Sequence, residues 1–508
     1  MHSSLTRIDS NRYRVSDCSG VDVTLFANDD VPIEKKAIDE LQRLCLTKQM
    51  IDSLKEYSPG FLDDSAGIHK IAVTPEFHKG NGIPIGTVLA TKGFVVPAAV
   101  GNDINCGMRL NQTSLDLSQF ISRIGVLKSA CRHAFFEGGR NIPMSRRQRE
   151  GLLRYGIPGL FEETPAGFQE GLWNFFHRQK VYKELDRING GNHLTGAAVV
   201  ELDPWMGPPD RISRDSQTGS IGGGNHFVEF LHVARIWDKQ AAFAWGFVPD
   251  QVVVMIHTGS VSVGQLCGSR QRQLAEDIYP KNVKHPENHL YVIPDNEQNS
   301  QVLAKYFDSL HNAANFAFAN RLFLSLMARA ALEDQFGEVD FPLLWDSPHN
   351  LIWREKIEDV DLYVHRKGAC PARSAGMMKS EPFCYFGEPV LVPGSMGASS
   401  FVMAGQGNVD SLFSASHGAG RALSRGKALK SNDDEFKKFL RESHVVTPVD
   451  LERNDIKSRP DILKKQLAEL KQESPIAYKG IADVIGTLQD SGIAHPVVEL
   501  RPLLTIKA

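Results

Sequence analysis

The sequence is poor in cysteine and contains no long apolar run, and both absences limit the class of protein it can encode. Its 508 residues include seven cysteines, which are scattered, odd in number and without a CxxC pair, so the pattern argues against a disulfide scaffold. The N-terminus lacks the apolar stretch of a signal peptide, and no run approaches the roughly 18 apolar residues of a membrane span. These absences predict a cytoplasmic protein.

An excess of charge of either sign is also missing. The net charge is −3, and 42% hydrophobic with 23% charged residues is the composition of an ordinary globular enzyme. Nucleic acid would therefore have to bind at a local basic patch, for which residues 140–149 and 421–430 are candidates. Repeats, low-complexity tracts and a clear linker are absent, so one unusually large α+β unit is as plausible as two domains.

Hydrophobic periodicity and turn residues predict the main elements. Helices are expected at 33–57 after Pro32, at 312–335, and at 460–472 with Ser458 as a possible cap and Pro460 in the first turn. Strands are expected at 251–256, 388–392 and 400–405, with two more within 86–100 around a turn at 91–93. The polar stretches 205–222 and 285–300 are predicted surface loops.

Histidine carries the first chemical signal. Four of the 17 histidines follow apolar runs or lie among glycines, namely His226, His257, His349 and His417. Asp103 and Cys106 lie three residues apart in a Gly-flanked loop; alone they are more typical of a turn former and a small core residue. Together with the histidines they offer donors for two divalent ions bridged by the thiolate. The donor types alone favour zinc over manganese.

A second signal is the stretch SHGAGR at 416–421. Small residues after His417 could present backbone N–H groups to an anion, with Arg421 and Arg425 nearby, and PGSMG at 393–397 offers a similar turn. Either stretch could equally be a tight turn that joins a strand to a helix. In the functional interpretation, a neutral His417 is a nucleophile for phosphorus.

Taken in order, these motifs resemble the RtcB family of GTP-dependent RNA ligases. The resemblance spans roughly residue 65 to the C-terminus. It rests on VGNDINCGM at 100–108, GGGNHFVE at 222–229, HTGS at 257–260, NAANFAFANR at 312–321, HN at 349–350, HRKGA at 365–369, PGSMG at 393–397, SHGAGRALSR at 416–425 and AYKGI at 477–481.

The resemblance implies an α+β fold in which a large single domain over residues 1–508 has mixed or antiparallel sheets around a central metal cleft, with flanking helices. Residues 1–64 would be an N-terminal extension that carries the helix at 33–57. Cys106 would bridge two manganese ions; Asp103 and His226 would complete one site, and His257 and His349 the other. Manganese thus replaces zinc as the expected metal, because oxygen-rich substrates complete the coordination shell.

The resemblance also implies the reaction. His417 would attack the α-phosphorus of GTP, and the GMP would pass to an RNA 3′-phosphate, which is made from a 2′,3′-cyclic phosphate. The 5′-hydroxyl of a second strand would then displace GMP. The implied nucleotide-binding residues are Asn225, Phe227, Glu229, Ser395, Gly418, Ala419, Gly420, Arg421 and Lys479.

Four positions depart from the family pattern. Glu76 stands where the family usually has aspartate, Asn102 and Asn105 alter the aspartate–cysteine motif, and Val261 stands where HSGSRG has arginine. These changes suggest a divergent member that serves RNA repair rather than tRNA splicing. A metal-dependent cyclic phosphodiesterase or phosphoesterase on the same scaffold, and an inactive RNA-binding protein, are the alternatives. The complete set of ligands and guanylate-site residues favours the ligase.

RNA and GTP are the expected partners, with an archease-type activator as a further candidate and a monomer as the default state. A groove near Arg366, Lys367 and Arg421 is predicted to bind the RNA, with an affinity that falls as salt rises.

Overall fold

The computed structural model of the protein describes residues 4–190 and 194–508. It combines helices with two large sheets, so the expected mixed α+β class is confirmed. In chain order the strands are β1 (Leu5–Arg7), β2 (Arg12–Val15), β3 (Val23–Phe26), β4 (Gly67–Asn81), β5 (Ile83–Lys92), β6 (Phe94–Val95), β7 (Gly107–Asp116), β8 (Pro143–Met144), β9 (Ser213–Arg214), β10 (Phe227–Ile236), β11 (Gln251–Thr258), β12 (Ile293–Pro294), β13 (Leu343–Pro348), β14 (Asn350–Ile357), β15 (Val360–Lys367), β16 (Ala369–Pro371), β17 (Pro389–Val392), β18 (Ser400–Gly405), β19 (Ser414–Ser416), β20 (Val445–Val446) and β21 (Ala494–Ile506).

The helices lie between and around these strands. In chain order they are α1 (Lys35–Cys45), α2 (Thr47–Tyr57), α3 (Leu117–Ser122), α4 (Ile124–Phe136), α5 (Arg146–Glu162), α6 (Arg178–Glu184), α7 (Asp203–Met206), α8 (Lys239–Ala244), α9 (Val261–Asp277), α10 (Ser300–Phe336), α11 (Phe383–Phe386), α12 (Arg425–Leu429), α13 (Asp433–Glu442), α14 (Asn454–Lys457), α15 (Pro460–Gln472) and α16 (Ile481–Asp490).

One sheet joins the N-terminal strands to the rest of the chain. Its order is β1-β2-β3-β4-β5-β15-β14, and β3 pairs parallel to β4 while the other neighbours are antiparallel. Apolar residues of α1 and α2, such as Leu41 and Leu54, lie in the same buried cluster as Ile71 of β4. The N-terminal segment 4–64 thus packs on the sheet that its strands extend, and the single domain over residues 1–508 stays a prediction.

The second sheet has the order β13-β7-β11-β10-β21-β18-β17, with β20 paired to β21. The strands β13, β7, β11 and β10 lie side by side in this order, and each is antiparallel to the next. The strands β11 and β13 therefore end at the same edge of the sheet at which β7 and β10 begin. Whatever precedes β7 and β10, or follows β13, must lie close together at that edge.

The 37-residue helix α10 packs against this sheet and against α4, α5 and α9. Its buried Arg321 donates from Nε to Asp346 Oδ1 at 2.8 Å and from Nη1 to the carbonyl oxygen of Asn105 at 2.7 Å. Arg109 pairs with the other oxygen of Asp346 at 3.2 Å. Removing one member of such a buried ion network would leave an uncompensated charge. Because Arg321 also binds the carbonyl oxygen of Asn105, the network holds the loop before β7 in place.

Most predicted elements are confirmed, with differences at their ends. The helix expected at 33–57 is two helices, because Leu46 donates its backbone N–H to the carbonyl of Arg43 and α2 starts again at Thr47. The helix at 312–335 is the buried part of α10, and the cap of α15 is Arg459 rather than Ser458.

The predicted surface loops 205–222 and 285–300 are only partly exposed. Asp215 is buried because it pairs with Arg149 at 3.1 Å, and Ile293 is buried because β12 pairs with β6. Because Arg149 is paired with Asp215, it is not available to bind an anion. This end of the basic stretch 140–149 is therefore excluded as an anion site.

None of the helices in the described ranges is both long enough and apolar enough to cross a bilayer. All seven cysteines are free thiols.

Candidate metal centre and nucleophile

Five predicted ligands meet at the edge of the second sheet where four strand ends converge. Cys106 directly precedes β7, His226 precedes β10, His349 follows β13, and His257 lies within β11. The register places Met108 and Phe227 on either side of His257, and Gly107 opposite Pro348. We call Asp103, Cys106, His226, His257 and His349 the metal-ligand cluster.

Cys106 lies at the centre of this cluster. Its Sγ is 3.3 Å from the Nε2 atoms of both His226 and His257. His257 Nε2 is 3.2 Å from His349 Nε2, and His226 Nε2 is 3.0 Å from Asp103 Oδ2. The donor atoms form two groups within 4.8 Å, Asp103–Cys106–His226 and Cys106–His257–His349, which share the thiol.

The protonation states of these groups fit a cation site. Burial lowers the pKa of His257 and of His349 well below the usual value, so both imidazoles are neutral and present Nε2 to each other. Burial and then the charge of Asp103 raise the pKa of the Cys106 thiol well above its usual value. A thiol in such surroundings becomes a thiolate ligand only when a metal compensates its charge.

Backbone contacts orient two of the ligands. His257 Nδ1 donates to the carbonyl oxygen of Asn225 at 3.1 Å, which leaves the lone pair on Nε2 facing the cluster. The backbone N–H of Val261 donates to Asp103 Oδ1 at 3.0 Å. The departure at Val261 therefore leaves the main-chain support of Asp103 in place.

His417 lies beside the cluster, with its ring centroid 4.1 Å from that of His349. Its Nδ1 is 2.5 Å from Glu76 Oε2 and donates to the carbonyl oxygen of Gly368 at 2.7 Å. Both neighbours are acceptors, so the proton resides on Nδ1 and the neutral ring keeps its lone pair on Nε2. Burial opposes the charged form, but the charge and hydrogen bond of Glu76 outweigh it, so the pKa of His417 is raised.

A cavity of about 940 Å³ opens over His417 and the metal-ligand cluster. The predicted nucleotide-binding residues that line it are Asn225, Phe227, Glu229, Ser395, Gly418, Ala419, Gly420 and Arg421. Lys479 lies behind the wall, where its buried Nζ donates to the carbonyl oxygens of Pro75 and Phe77 at 3.0 and 2.6 Å. Its role as a nucleotide contact stays a prediction.

One end of the cavity, which we call the enclosed end, is lined by the buried side chains of Glu229 and Lys507 and holds paired charges. Thr505 donates to Glu229 Oε1 at 2.6 Å, and burial raises the pKa of Glu229 to about 7. Lys507 donates to the carbonyl oxygen of His226 at 2.9 Å, and burial lowers the pKa of its ammonium to about 8. Glu229 is thus balanced between its neutral and charged forms near neutral pH.

Two of the three cations predicted to lie near an RNA groove line the cavity. Arg366 is wrong as a contact, because it is 1% exposed and donates to both carboxylate oxygens of Glu355 at 2.7 and 3.0 Å. Arg421 lines the cavity, but its Nη1 lies 3.2 Å from the carboxylate of Glu473. Lys367 lines the cavity and donates to the carbonyl oxygen of Ile83 at 2.8 Å.

Sequence reasoning missed two groups of the site. The sequence marks Glu76 only as a departure from the family pattern, in Pro75-Glu76-Phe77-His78, and does not indicate a contact with His417. Lys507 stands next to the C-terminus with no local motif, and only the pairing of β21 with β10 brings it to the cavity.

The chain matches the family model described as tRNA-splicing ligase RtcB over residues 63–508. It is 32% identical over 458 residues to the tRNA-splicing ligase RtcB of Thermococcus kodakarensis, which covers 86% of this chain and 87% of that protein. It is 31% identical over 452 residues to the RNA-splicing ligase RtcB of Mycobacterium tuberculosis, covering 85% and 95%. It is 29% identical over 503 residues to the tRNA-splicing ligase RtcB of Aeropyrum pernix, covering 96% and 95%.

Proposed function

The chain belongs to the RtcB family, and from that premise we propose that it is a GTP-dependent RNA ligase. It joins RNA ends that carry a 2′,3′-cyclic phosphate or a 3′-phosphate to 5′-hydroxyl ends. The reaction passes through GMP bound to His417 and an RNA-(3′)pp(5′)G intermediate. The names of the relatives support an RNA ligase, and the chemistry of the site supports the finer steps.

The orientation of His417 is the observation that carries this proposal. With its proton on Nδ1 between Glu76 and Gly368, the imidazole presents the Nε2 lone pair at the cavity wall. Nε2 forms a bond to the α-phosphorus of GTP, and the bond to the pyrophosphate oxygen breaks. The ring gains positive charge as the bond forms, and the adjacent carboxylate of Glu76 stabilises that charge.

Transfer to RNA follows in two displacements. An oxygen of the RNA 3′-phosphate attacks the phosphorus of the adduct, and His417 leaves with its lone pair restored. The 5′-hydroxyl oxygen then attacks the 3′-phosphorus, GMP leaves, and the hydroxyl proton is released. A cyclic phosphate must first be opened by water to the 3′-phosphate.

The metal-ligand cluster is suited to hold two divalent ions, which we take to be Mn²⁺. Asp103, Cys106 and His226 would hold one ion, and Cys106, His257 and His349 the other. When bound, such ions stabilise charge on the non-bridging oxygens of a phosphate.

The guanosine would occupy the enclosed end of the cavity. Glu229 would accept from the guanine edge, and the SHGAGR and PGSMG turns would donate backbone N–H groups to phosphate. The free thiols favour a reducing compartment such as the cytoplasm. RNA repair, a monomeric enzyme and an archease-type activator are the hypotheses we retain for its physiological setting.

A sealing assay tests this function against the phosphoesterase alternative. An RNA with a 2′,3′-cyclic phosphate and one with a 5′-hydroxyl are incubated with the protein, MnCl₂ and GTP, and sealed product is measured on a denaturing gel. We expect a GTP-dependent product that His417→Ala abolishes. Opening of the cyclic phosphate without sealing, with or without an archease, would identify a phosphoesterase instead.

A further inference from the structure

The cavity has basic side chains at both ends. The two ends differ in the carboxylates that balance these positive charges. At the enclosed end, the charges acting on Lys507 are those of Glu473 and Glu229, together with Arg425 and Arg421. Cations there are therefore balanced by carboxylates. At the other end, Lys367 is acted on by Glu40 and by a second cation, Arg272.

Arg272 and Lys367 flank the loop that carries Asp103. Arg272, on α9, donates from Nη1 to Asn102 Oδ1 at 2.6 Å. A Cβ placed on Gly101 would lie 3.5 Å from Lys367 Cε, and one placed on Gly268 would lie 3.5 Å from Arg272 Nη1. Both side chains line the cavity, so the loop is held between two positive groups that face it.

Neither cation forms an ion pair with a carboxylate in the described part of the chain. Arg272 donates to the side chains of Asn102 and Ser269, and Lys367 donates to backbone carbonyls. Glu40 acts on Lys367 from a distance, since its Oε2 accepts from the N–H of Gly80 at 2.8 Å. Two neighbouring cations that are not paired with a carboxylate of the protein are the arrangement expected of a site that binds an anionic ligand.

The neighbouring arginine of the same helix provides a contrast. Arg270 is exposed and pairs with Glu201 at 3.0 Å. Val261, at the start of α9, also lines the cavity and brings no charge there. Arg272 is thus the arginine of α9 that is directed to the cavity.

The cavity meets solvent beside these two cations, because Lys79, Asn81, Gly82 and His289 line it and are exposed. Glu229 and Lys507 are buried, although Asn225 and Arg425, which also line the cavity, are exposed. A polymer can therefore reach the side of the cavity that carries Arg272 and Lys367.

We infer that Arg272, held by Asn102, and Lys367 form a phosphate-binding subsite for the backbone of the RNA strand next to the reacting ends. The inference rests on the proposed function. The pyrophosphate portion of GTP is the other source of the same chemistry, and the experiment distinguishes the two.

The test compares Arg272→Gln with Arg270→Gln, a matched loss of one arginine from the same helix. Binding of a single-stranded RNA with a 3′-phosphate is measured with Mn²⁺ and without GTP at several salt concentrations. We expect Arg272→Gln to weaken binding about tenfold and to lower the slope of log affinity against log salt by about 0.7, the value for one phosphate contact on a single strand. Arg272→Lys should recover part of the affinity, and Arg270→Gln should bind like the wild type.

Guanylylation by labelled GTP is measured on the same proteins, with metal content and thermal unfolding as controls of folding. The loss of RNA affinity in Arg272→Gln should exceed any loss of guanylylation at least severalfold. Unchanged RNA affinity and salt slope would overturn the inference, and so would a loss confined to guanylylation, which would assign the cation to GTP. If the wild type forms no guanylate, the proposed function fails, while the RNA-binding comparison still decides the subsite.

Discussion

The rings of His257 and His349 lie close to that of His417, yet the pKa of His417 is shifted in the opposite direction from theirs. The ring centroids of His349 and His257 lie 4.1 and 5.8 Å from that of His417. Burial lowers the pKa of His257 and His349, whereas Glu76 raises the pKa of His417 against the effect of burial.

The difference comes from what each Nδ1 contacts. His257 donates to a neutral backbone carbonyl, which leaves a neutral ring suited to a metal. His417 has a carboxylate beside Nδ1, which stabilises the positive charge that a nucleophile gains on attack. One wall of the cavity is therefore suited to binding cations, and the adjacent wall to the transfer of a phosphoryl group that we propose.

Removing a ligand of the metal-ligand cluster should have the largest effect on activity. Cys106→Ala removes the donor that both groups of the metal-ligand cluster share, so we expect bound Mn²⁺ to fall from about two ions to less than one and sealing to fall by about 10³-fold or more. Metal content is measured by mass spectrometry after dialysis. His349→Ala is the matched control, because it removes a ligand of one group only. Equal metal loss in both variants would contradict a shared thiol.

Changing the carboxylate beside His417 should have a smaller effect that leaves the metals in place. We expect Glu76→Gln to slow guanylylation by about 10²-fold with unchanged Mn²⁺ content. Since Glu76 raises the pKa of His417, its removal should also shift the acid limb of the rate profile to lower pH, because the neutral ring then persists to lower pH.

Glu76→Asp, which keeps the charge on a shorter side chain, is the control for this prediction. A Glu76→Gln enzyme with the wild-type rate and pH profile would show that the carboxylate neither holds nor charges His417.

Glu229 can be compared with Glu76, because Glu229 is a buried carboxylate without an imidazole partner. Burial raises its pKa to about 7, and in the proposed assignment the ionised form is the stronger acceptor for the guanine edge. Nucleotide affinity should therefore tighten by roughly tenfold as pH rises from about 6 to 8, and Glu229→Gln should bind weakly at every pH. Calorimetric titration with GTP checks this. Thr505→Val, which removes a hydrogen bond to the charged form, should move the midpoint upward. A pH-independent wild type would contradict the assignment.

The sequence allowed the ligands to be predicted because each lies near the end of a strand, either inside it or beside it, in a short local motif. Asp103 and Cys106 precede β7, and His349 follows β13, so apolar runs mark where these side chains emerge. The class of fold and most central elements followed from the same periodicity. The resemblance to a known family added the chemical roles, which donor types alone could not supply.

Contacts between distant segments could not be predicted in this way. Glu76 reaches His417 across 341 positions of sequence, and Arg366 is removed from the cavity by Glu355 on the neighbouring strand. The break at Leu46 depends on a single local hydrogen bond within a continuous helical pattern. These features come from strand pairing and burial, neither of which leaves a motif in the chain.

Covalent labelling tests the central claim, that His417 is the nucleophile of a guanylylated intermediate. The purified protein with verified Mn²⁺ is incubated with α-labelled GTP, and with ATP in parallel, beside His417→Ala on a denaturing gel. We predict an acid-labile label from GTP on the wild type alone. No label on the metal-loaded wild type, or equal labelling of His417→Ala, would contradict it.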